Sequence, residues 1–184
     1  DKELFTKLEM DIEDETKFKA EILSRMEKEV KTQEKDLTKE SIYGTLLKIN
    51  SFSAPKVTIK EQAEMMRKDS LMRIGQQEND ATDDLFPLDT FMENAEKRVK
   101  LDLLFAELIK HYALAVTQED LDNFIEEESK KYKDASQFKQ WIENQPQQIE
   151  QFRMIVLEQK LVDNLKNDLK SKDKVIEFSE LANK

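Results

Sequence analysis

The sequence predicts an all-α fold: an elongated helical domain with a long N-terminal helix, two helical-hairpin arms projecting from a body, and a short extended C-terminal tail. Three observations lead there. The 184 residues hold only two glycines and three prolines, where average usage of roughly 7% and 5% would put about twenty or more, so tight turns for a sandwich or barrel are missing. Charged residues make up 38% of the chain, and many fall as an acid four residues before a base, as in Glu13 and Lys17, Glu15 and Lys19, Glu21 and Arg25, Glu27 and Lys31, and Glu127 and Lys131. That spacing supports a solvated helix face. Apolar residues, finally, recur every three or four positions through most of the chain.

Taken in order, Leu4, Phe5 and Leu8 form one short apolar set leading to Asp14 as a helix N-cap. A long body helix is expected over 14–50. Phe18, Ile22, Met26 and Val30 step by four, and Ile42, Leu46 and Ile49 resume the stripe. Between them Lys31 to Glu40 carries only Leu37, so this middle is a solvent-bridging helix or a break. The unbroken helix is preferred, because neither Gly nor Pro intervenes before Gly44.

After a connector to Pro55, Thr58 with Glu61 offers a capping box. The helix it would open lays Ile59, Ala63, Met66 and Ile74 along one face, with Met65 and Met72 beside it, and stops at Gly75. A polar, acidic loop then closes on Leu85, Phe86 and Pro87, ahead of a helix opening at Thr90 with Glu93. These two helices make a first arm over 56–107.

The second of them organises the chain. Phe91, Ala95, Val99, Leu103, Ala106 and Ile109 form one stripe, and from Leu101 a second joins it through Leu104, Leu108 and Tyr112. Both sides of the helix are therefore expected to be covered from Leu101 onward. Thr117 with Asp120 caps a further helix bearing Leu121, Phe124, Ile125 and Tyr132. Lys133 to Ala135 turns the chain into a short helix with Phe138, Trp141 and Ile142, and Pro146 suits the first turn of a last helix carrying Ile149, Phe152, Val156, Leu161 and Leu165. That completes a second arm over 116–170, with the tail 171–184, VIEFSELANK at its end, packing on the body. The two arm crossings, LLKINSFSAPKVTIKE and LIKHYALAVTQED, read as loose copies of one another.

Net charge is −10, with basic residues scattered among acidic ones, which leaves no field to hold a nucleic-acid backbone. No apolar run has the length of a membrane span. Cysteine is absent, which suits a reducing cytoplasm. His111 is the single histidine and follows Lys110 at a helix end, where a cation complements the helix dipole, so catalytic dyads and triads have little to work with. Glu126, Glu127 and Glu128 fan around a helix as a solvated face, and neither metal nor cofactor is expected. The sequence opens at Asp1 without an initiator methionine, which reads as an excised fragment.

What remains is apolar. Phe86, Tyr132, Phe138, Trp141, Ile142, Phe152 and Met154 lie near hairpin turns, and Met65, Met66 and Met72 lie on the first arm. For each alone, local packing is the ordinary reading. Together they point to more, because slender arms shelter few large side chains and flexible Met accommodates varied partners.

The run RVKLDLLFAELIK from Arg98, VTQEDLDNFIEE from Val116, Tyr132 with Asp134, VLEQKLVDNL from Val156 and the closing VIEFSEL resemble the C-terminal chaperone domain of bacterial trigger factor. Weaker likeness extends to AEILSRMEKEV from Ala20 and to Ala54 with Pro55. Asp102 and Ala135 depart from the family's small residue and proline. The resemblance implies an ATP-independent chaperone, part of a ribosome-associated protein of folding and export, that binds unfolded or nascent polypeptide in a cradle between its arms. It further implies that the ribosome is reached only through an N-terminal domain absent here, and that prolyl isomerase activity belongs to an upstream FKBP-like domain, so this chain itself is not expected to be an enzyme. Cytoplasmic location and self-association through the arms are compatible with it. The alternatives are a helical scaffold docking one defined partner and a periplasmic chaperone of the SurA kind. The ten apolar residues above are the candidate client-binding positions.

Overall fold

The computed structural model describes residues 15–76, 85–169 and 175. Among them the chain forms six α-helices and no strand: α1 (Glu15–Ile49), α2 (Lys56–Arg73), α3 (Asp89–His111), α4 (Gln118–Ser129), α5 (Ala135–Glu143) and α6 (Pro146–Asp168). The expected Leu4 to Leu8 turn, the Asp14 cap and, apart from Val175, the C-terminal tail lie outside the described residues. Contacts group the chain into two compact units, Asp1–Ser41 with Ser171–Lys184, and Ile42–Lys170.

In the first unit α1 runs unbroken through 31–40, so the sparse middle is helix and not a break. Its own surface supports it. Arg25 Nε lies 2.9 Å from Glu21 Oε1, while Ile22, Leu23 and Met26 are exposed.

The second unit has three apolar clusters. The first lies along α2 and α3 and joins Ala54, Ile59 and Ala63 to Ala95 and Val99, with Met66, Phe91 and Met92 packed around them. Ala63 and Ala95 are fully buried, and side chains this small let the two helices approach closely. The second cluster joins Ile42 and Leu46 of α1 to Leu161 and Leu165 of α6, against Leu101, Leu104, Phe105 and Leu108 of α3. The third brings Leu121 of α4, Phe138 and Ile142 of α5, and Phe152 of α6 together.

Helix α3 thus serves two clusters, its first half one and its second half the other. The expected continuous stripe is interrupted after Val99, however: Leu103 is 43% exposed and Ala106 is exposed as well, and only Ile109 packs again, on the second cluster. The cause is length. Helix α2 begins only at Lys56, and by Val99 the cluster has already reached Ile59 and Ala54. Farther along α3 no α2 is left to cover that side, so beyond Leu101 one side is packed and the other stays open.

Helix ends follow the sequence in part. Thr117 and Asp120 form the expected reciprocal box, each side chain accepting from the other's backbone N–H, and Pro146 occupies the first turn of α6. Thr58 with Glu61 does not cap α2. Pro55, held at φ −62° and ψ 126°, starts that helix, and its carbonyl accepts from the Ile59 N–H at 3.1 Å, so Thr58 lies inside. Helix α3 likewise opens at Asp89 without a side-chain cap, leaving Thr90 within it and Glu93 paired to Lys97 at 2.6 Å. The crossings 50–55 and 112–117 are equally long, but the first ends on proline and the second on a threonine box, so the likeness between the copies does not extend to their caps.

Two helices end in the same paired-turn motif. At α2, Gly75 takes φ 69°, its N–H donates to the Met72 carbonyl at 3.0 Å, and the Gln76 N–H donates to the Leu71 carbonyl at 2.9 Å. Ile74, expected on the buried face, is the cap residue and is exposed; Leu71 is the buried one. At α3 the αL position falls to Ala113, with φ 50°. The Ala113 and Leu114 N–H groups donate to Lys110 and Ile109, and Leu114 and Ile109 both pack on the second cluster. That apolar contact holds an alanine where glycine is the usual choice.

Candidate functional site

Helix α4 ends on Ser129, a fully buried residue whose hydroxyl donates to the Glu126 carbonyl at 2.7 Å. The Lys131 and Tyr132 N–H groups fold back onto the Glu128 and Ser129 carbonyls, each at 3.1 Å. Two residues later the Asp134 carboxylate accepts from the Gln137 N–H at 2.9 Å and starts α5. This tight corner lays the Tyr132 ring on that of Phe138, with centroids 4.2 Å apart and planes 16° from parallel. The Trp141 ring is tilted by 41° to that of Phe138, with 6.1 Å between centroids.

The three rings, with Lys133, Asp134 and Gln137, line an open groove of about 560 Å³. Phe138 is its buried floor, whereas Tyr132 and Trp141 are 54% and 51% exposed. Half-exposed aromatic rings offer flat apolar area at small conformational cost, and their hydroxyl and indole N–H can bond a neighbouring chain.

Ile142 and Phe152, expected at the surface, are core. Ile142 packs with Leu121 and Phe138, and Phe152 meets the Phe124 ring edge-on at 5.2 Å. Helix α5 touches both α4 and α6. Phe138 and Ile142, one turn apart, face the seam between them, and Trp141 sits about 100° around the helix from Ile142. Met154 is exposed on α6 beside the partly open Ile155, a residue the sequence reading missed.

The first-arm candidates divide in the same way. Met66 packs on the α2–α3 cluster and Phe86 is half-buried before α3, whereas Met65 and Met72 are exposed. Val57, also missed, is exposed too and continues their line. Stepping by four or three, Val57, Glu61, Met65, Lys68 and Met72 form the outer face of α2, over roughly 22 Å. Their angle from the Ile59, Ala63 and Met66 stripe was the available signal.

Residues 16–167 match the family described as bacterial trigger factor protein (TF) C-terminus, which takes in all six helices almost to their ends. The chain belongs to the bacterial trigger factor C-terminal family. It is 32% identical to the trigger factors of Burkholderia cenocepacia and Paraburkholderia phymatum over 173 residues, 92% of this chain and 38% of theirs. With the trigger factor of Herminiimonas arsenicoxydans the identity is 30% over 165 residues, 90% of this chain and 37% of the relative. The chain therefore spans well under half the length of these relatives.

The trigger factor resemblance is carried mostly by residues that hold helices together. RVKLDLLFAELIK is the second half of α3 and supplies the second cluster; VTQEDLDNFIEE is the α4 cap and its buried face. VLEQKLVDNL on α6 contributes Leu161 and Leu165, together with Lys160, whose ammonium lies 2.6 Å from Asp120. The Lys160 ammonium, with the Thr117 backbone and hydroxyl, holds the Asp120 carboxyl down at about 2. Of VIEFSEL only Val175, which is exposed, lies among the described residues.

The acidic run on α4 is neutralised one residue at a time. Glu126 pairs with Lys139 of α5, Glu127 with Lys130 and Glu128 with Lys131. Glu127 therefore does not take Lys131, the partner its spacing suggested, and Lys139 lowers the Glu126 carboxyl below its ordinary range. His111 is exposed at the C-terminal end of α3, its ring edge-on to Tyr112 at 5.1 Å. Among the described residues no helix is long and apolar enough to cross a membrane.

Proposed function

We propose that this chain is an ATP-independent chaperone domain that holds unfolded or nascent polypeptide on apolar side chains which its own packing leaves open. In this reading it is part of a ribosome-associated, cytoplasmic trigger factor acting in folding and export. The ribosome is met through a separate N-terminal domain, and prolyl isomerase activity belongs to a separate domain as well. The observation that supports this most is the groove in which Tyr132 and Trp141 adjoin a buried Phe138. The outer face of α2, with Met65 and Met72, and the exposed Met154 on α6 supply further contacts. Phe138, Ile142, Phe152 and Met66 act from beneath, as the packing that presents these surfaces.

The physics suits a holder that lets go. A client covering ~400 Å² of apolar surface gains about 10 kcal/mol gross at ~25 cal/mol per Å², and ordering and association remove much of it. Each contact is then weak, and several patches together supply avidity without nucleotide.

The test is suppression of aggregation for several unrelated unfolded proteins, which separates a chaperone from a scaffold with one folded partner. Replacing Tyr132 and Trp141 by serine is expected to raise the amount of chain needed about tenfold. That corresponds to losing ~100 Å² of covered ring, discounted for incomplete contact. Helicity should stay nearly unchanged. Trp141 is the only tryptophan, so its emission should shift to the blue when a client covers it. Equal protection by the serine variant, or an emission spectrum indifferent to clients, removes the groove from the site.

A further inference from the structure

The outer face of α2 has an unusual make-up for an apolar contact surface. Of its three exposed apolar side chains, Val57, Met65 and Met72, two are thioethers, and the residues between them are Glu61 and Lys68. Met65 is 60% exposed and Met72 67%. The adjacent Met66, about 100° around the helix, packs, like Met92, on the α2–α3 cluster. The chain has seven methionines and no cysteine, so a mild two-electron oxidant has thioethers as its sulfur targets and no thiol to consume it first.

We propose that Met65 and Met72 form a reversible oxidation site that switches this face between client-holding and polar states. The proposal rests on the client-holding reading given above. In the forward step the thioether sulfur attacks one oxygen of hydrogen peroxide. The S–O bond forms as the O–O bond breaks, sulfur loses two electrons, and the departing hydroxide takes the proton of the transferred oxygen and leaves as water. The reverse step belongs to enzymes of the methionine sulfoxide reductase class, one for each sulfoxide epimer. There two thiols become a disulfide, the sulfoxide oxygen leaves as water and the thioether is restored.

Oxidation of both sulfurs leaves Val57 as the one apolar side chain on a face otherwise made of sulfoxides and charges. Because neither residue belongs to the α2–α3 cluster, the helix keeps its packing on α3. The aromatic groove has no thioether among its lining residues and is left as it was. Met154, 63% exposed on α6, is open to the same oxidant, so the loss falls on the exposed thioether contacts while the fold and the aromatic groove stay intact.

The test treats the 184-residue chain with graded peroxide. Mass spectrometry follows each methionine, circular dichroism follows helix content, and suppression of client aggregation follows function. Met65 and Met72 should each gain an oxygen well before Met66 and Met92. At that point helix content should be unchanged and client capacity lower by about fourfold for each sulfur in contact, roughly one buried methylene's worth. Sulfoxide reductase should restore it. In a chain already carrying Met154→Leu, adding Met65→Leu and Met72→Leu should let capacity, compared with the untreated form, survive the same treatment.

Oxidation of Met66 as fast as Met65 overturns the proposal. So does undiminished capacity once both sulfurs are sulfoxides, or an equal loss in the leucine chain. If the untreated chain protects no client, the client-holding reading has failed first, and this site falls with it.

Discussion

Leu161 is the best place to weigh the second cluster, because it is fully buried where α6 meets the end of α1 and the second half of α3. Leu161→Ala removes about three carbons. At about 0.8 kcal/mol for each buried methylene the transfer loss is roughly 2.4 kcal/mol, and a residual cavity of ~50 Å³ adds about 1.2 kcal/mol. The expected loss is therefore between about 2.5 and 4 kcal/mol. Urea unfolding followed by circular dichroism should show the midpoint falling by roughly 1–2 M with little change in slope. Leu103→Ala is the internal control: the same substitution on α3, at a side chain the packing leaves 43% exposed, should cost under about 1 kcal/mol. If Leu161→Ala costs no more than Leu103→Ala, the three helices do not close on one another there, and the assignment of α3 to two clusters is wrong.

Three further outcomes are expected. Ala113→Gly should raise stability by about 0.5–1 kcal/mol in the same urea assay, since alanine is strained at φ 50° and glycine gives back only part of that relief through its freer unfolded chain; a loss would mean that the alanine methyl makes a contact of its own. Asp120, its carboxyl held at about 2 by Lys160 and Thr117, contributes stability that is fully present above its ordinary range and lost as pH falls from about 4 to about 2. The melting-temperature gap between wild type and Asp120→Asn should therefore close over that window, and a gap independent of pH contradicts the coupling. For Tyr43, burial and the bond its hydroxyl donates to Glu158 raise the phenol above its usual value, so its contribution is present below about pH 10 and lost as pH rises beyond. Wild type should lose more melting temperature between pH 8 and pH 11 than Tyr43→Phe.

Periodicity and punctuation carried most of the architecture. All six helices are visible as apolar repeats with their breaks, and the change of pattern along α3 marks the change of partner. Pro146 and the Thr117 box mark helix starts because their chemistry is local. Thr58 and Thr90 mislead for the opposite reason: a proline and a backbone turn just upstream had already begun each helix, and nothing in the threonines themselves records that. The site was legible as a set but not residue by residue. Phe138, Trp141 and Ile142 share spacing, and only their angle to α4 and α6 makes one a floor, one a wall and one a core residue. Met65 and Met66 differ by a single position, about 100° around the helix, which is enough to put one outside and the other on the cluster, a distinction helical geometry supplies once the buried stripe is known.

The order of the helices along the chain bears on how such a domain is made. Helices α2 and α3 are close neighbours in sequence and have their own cluster, so that pair can close as soon as about His111 has been synthesised. The other two clusters both wait for α6, whose Phe152 completes one and whose Leu161 and Leu165 complete the other. Until those residues emerge, the translated portion carries two unfinished seams, and vectorial synthesis leaves it dependent on the same kind of shelter that the finished molecule is proposed to give.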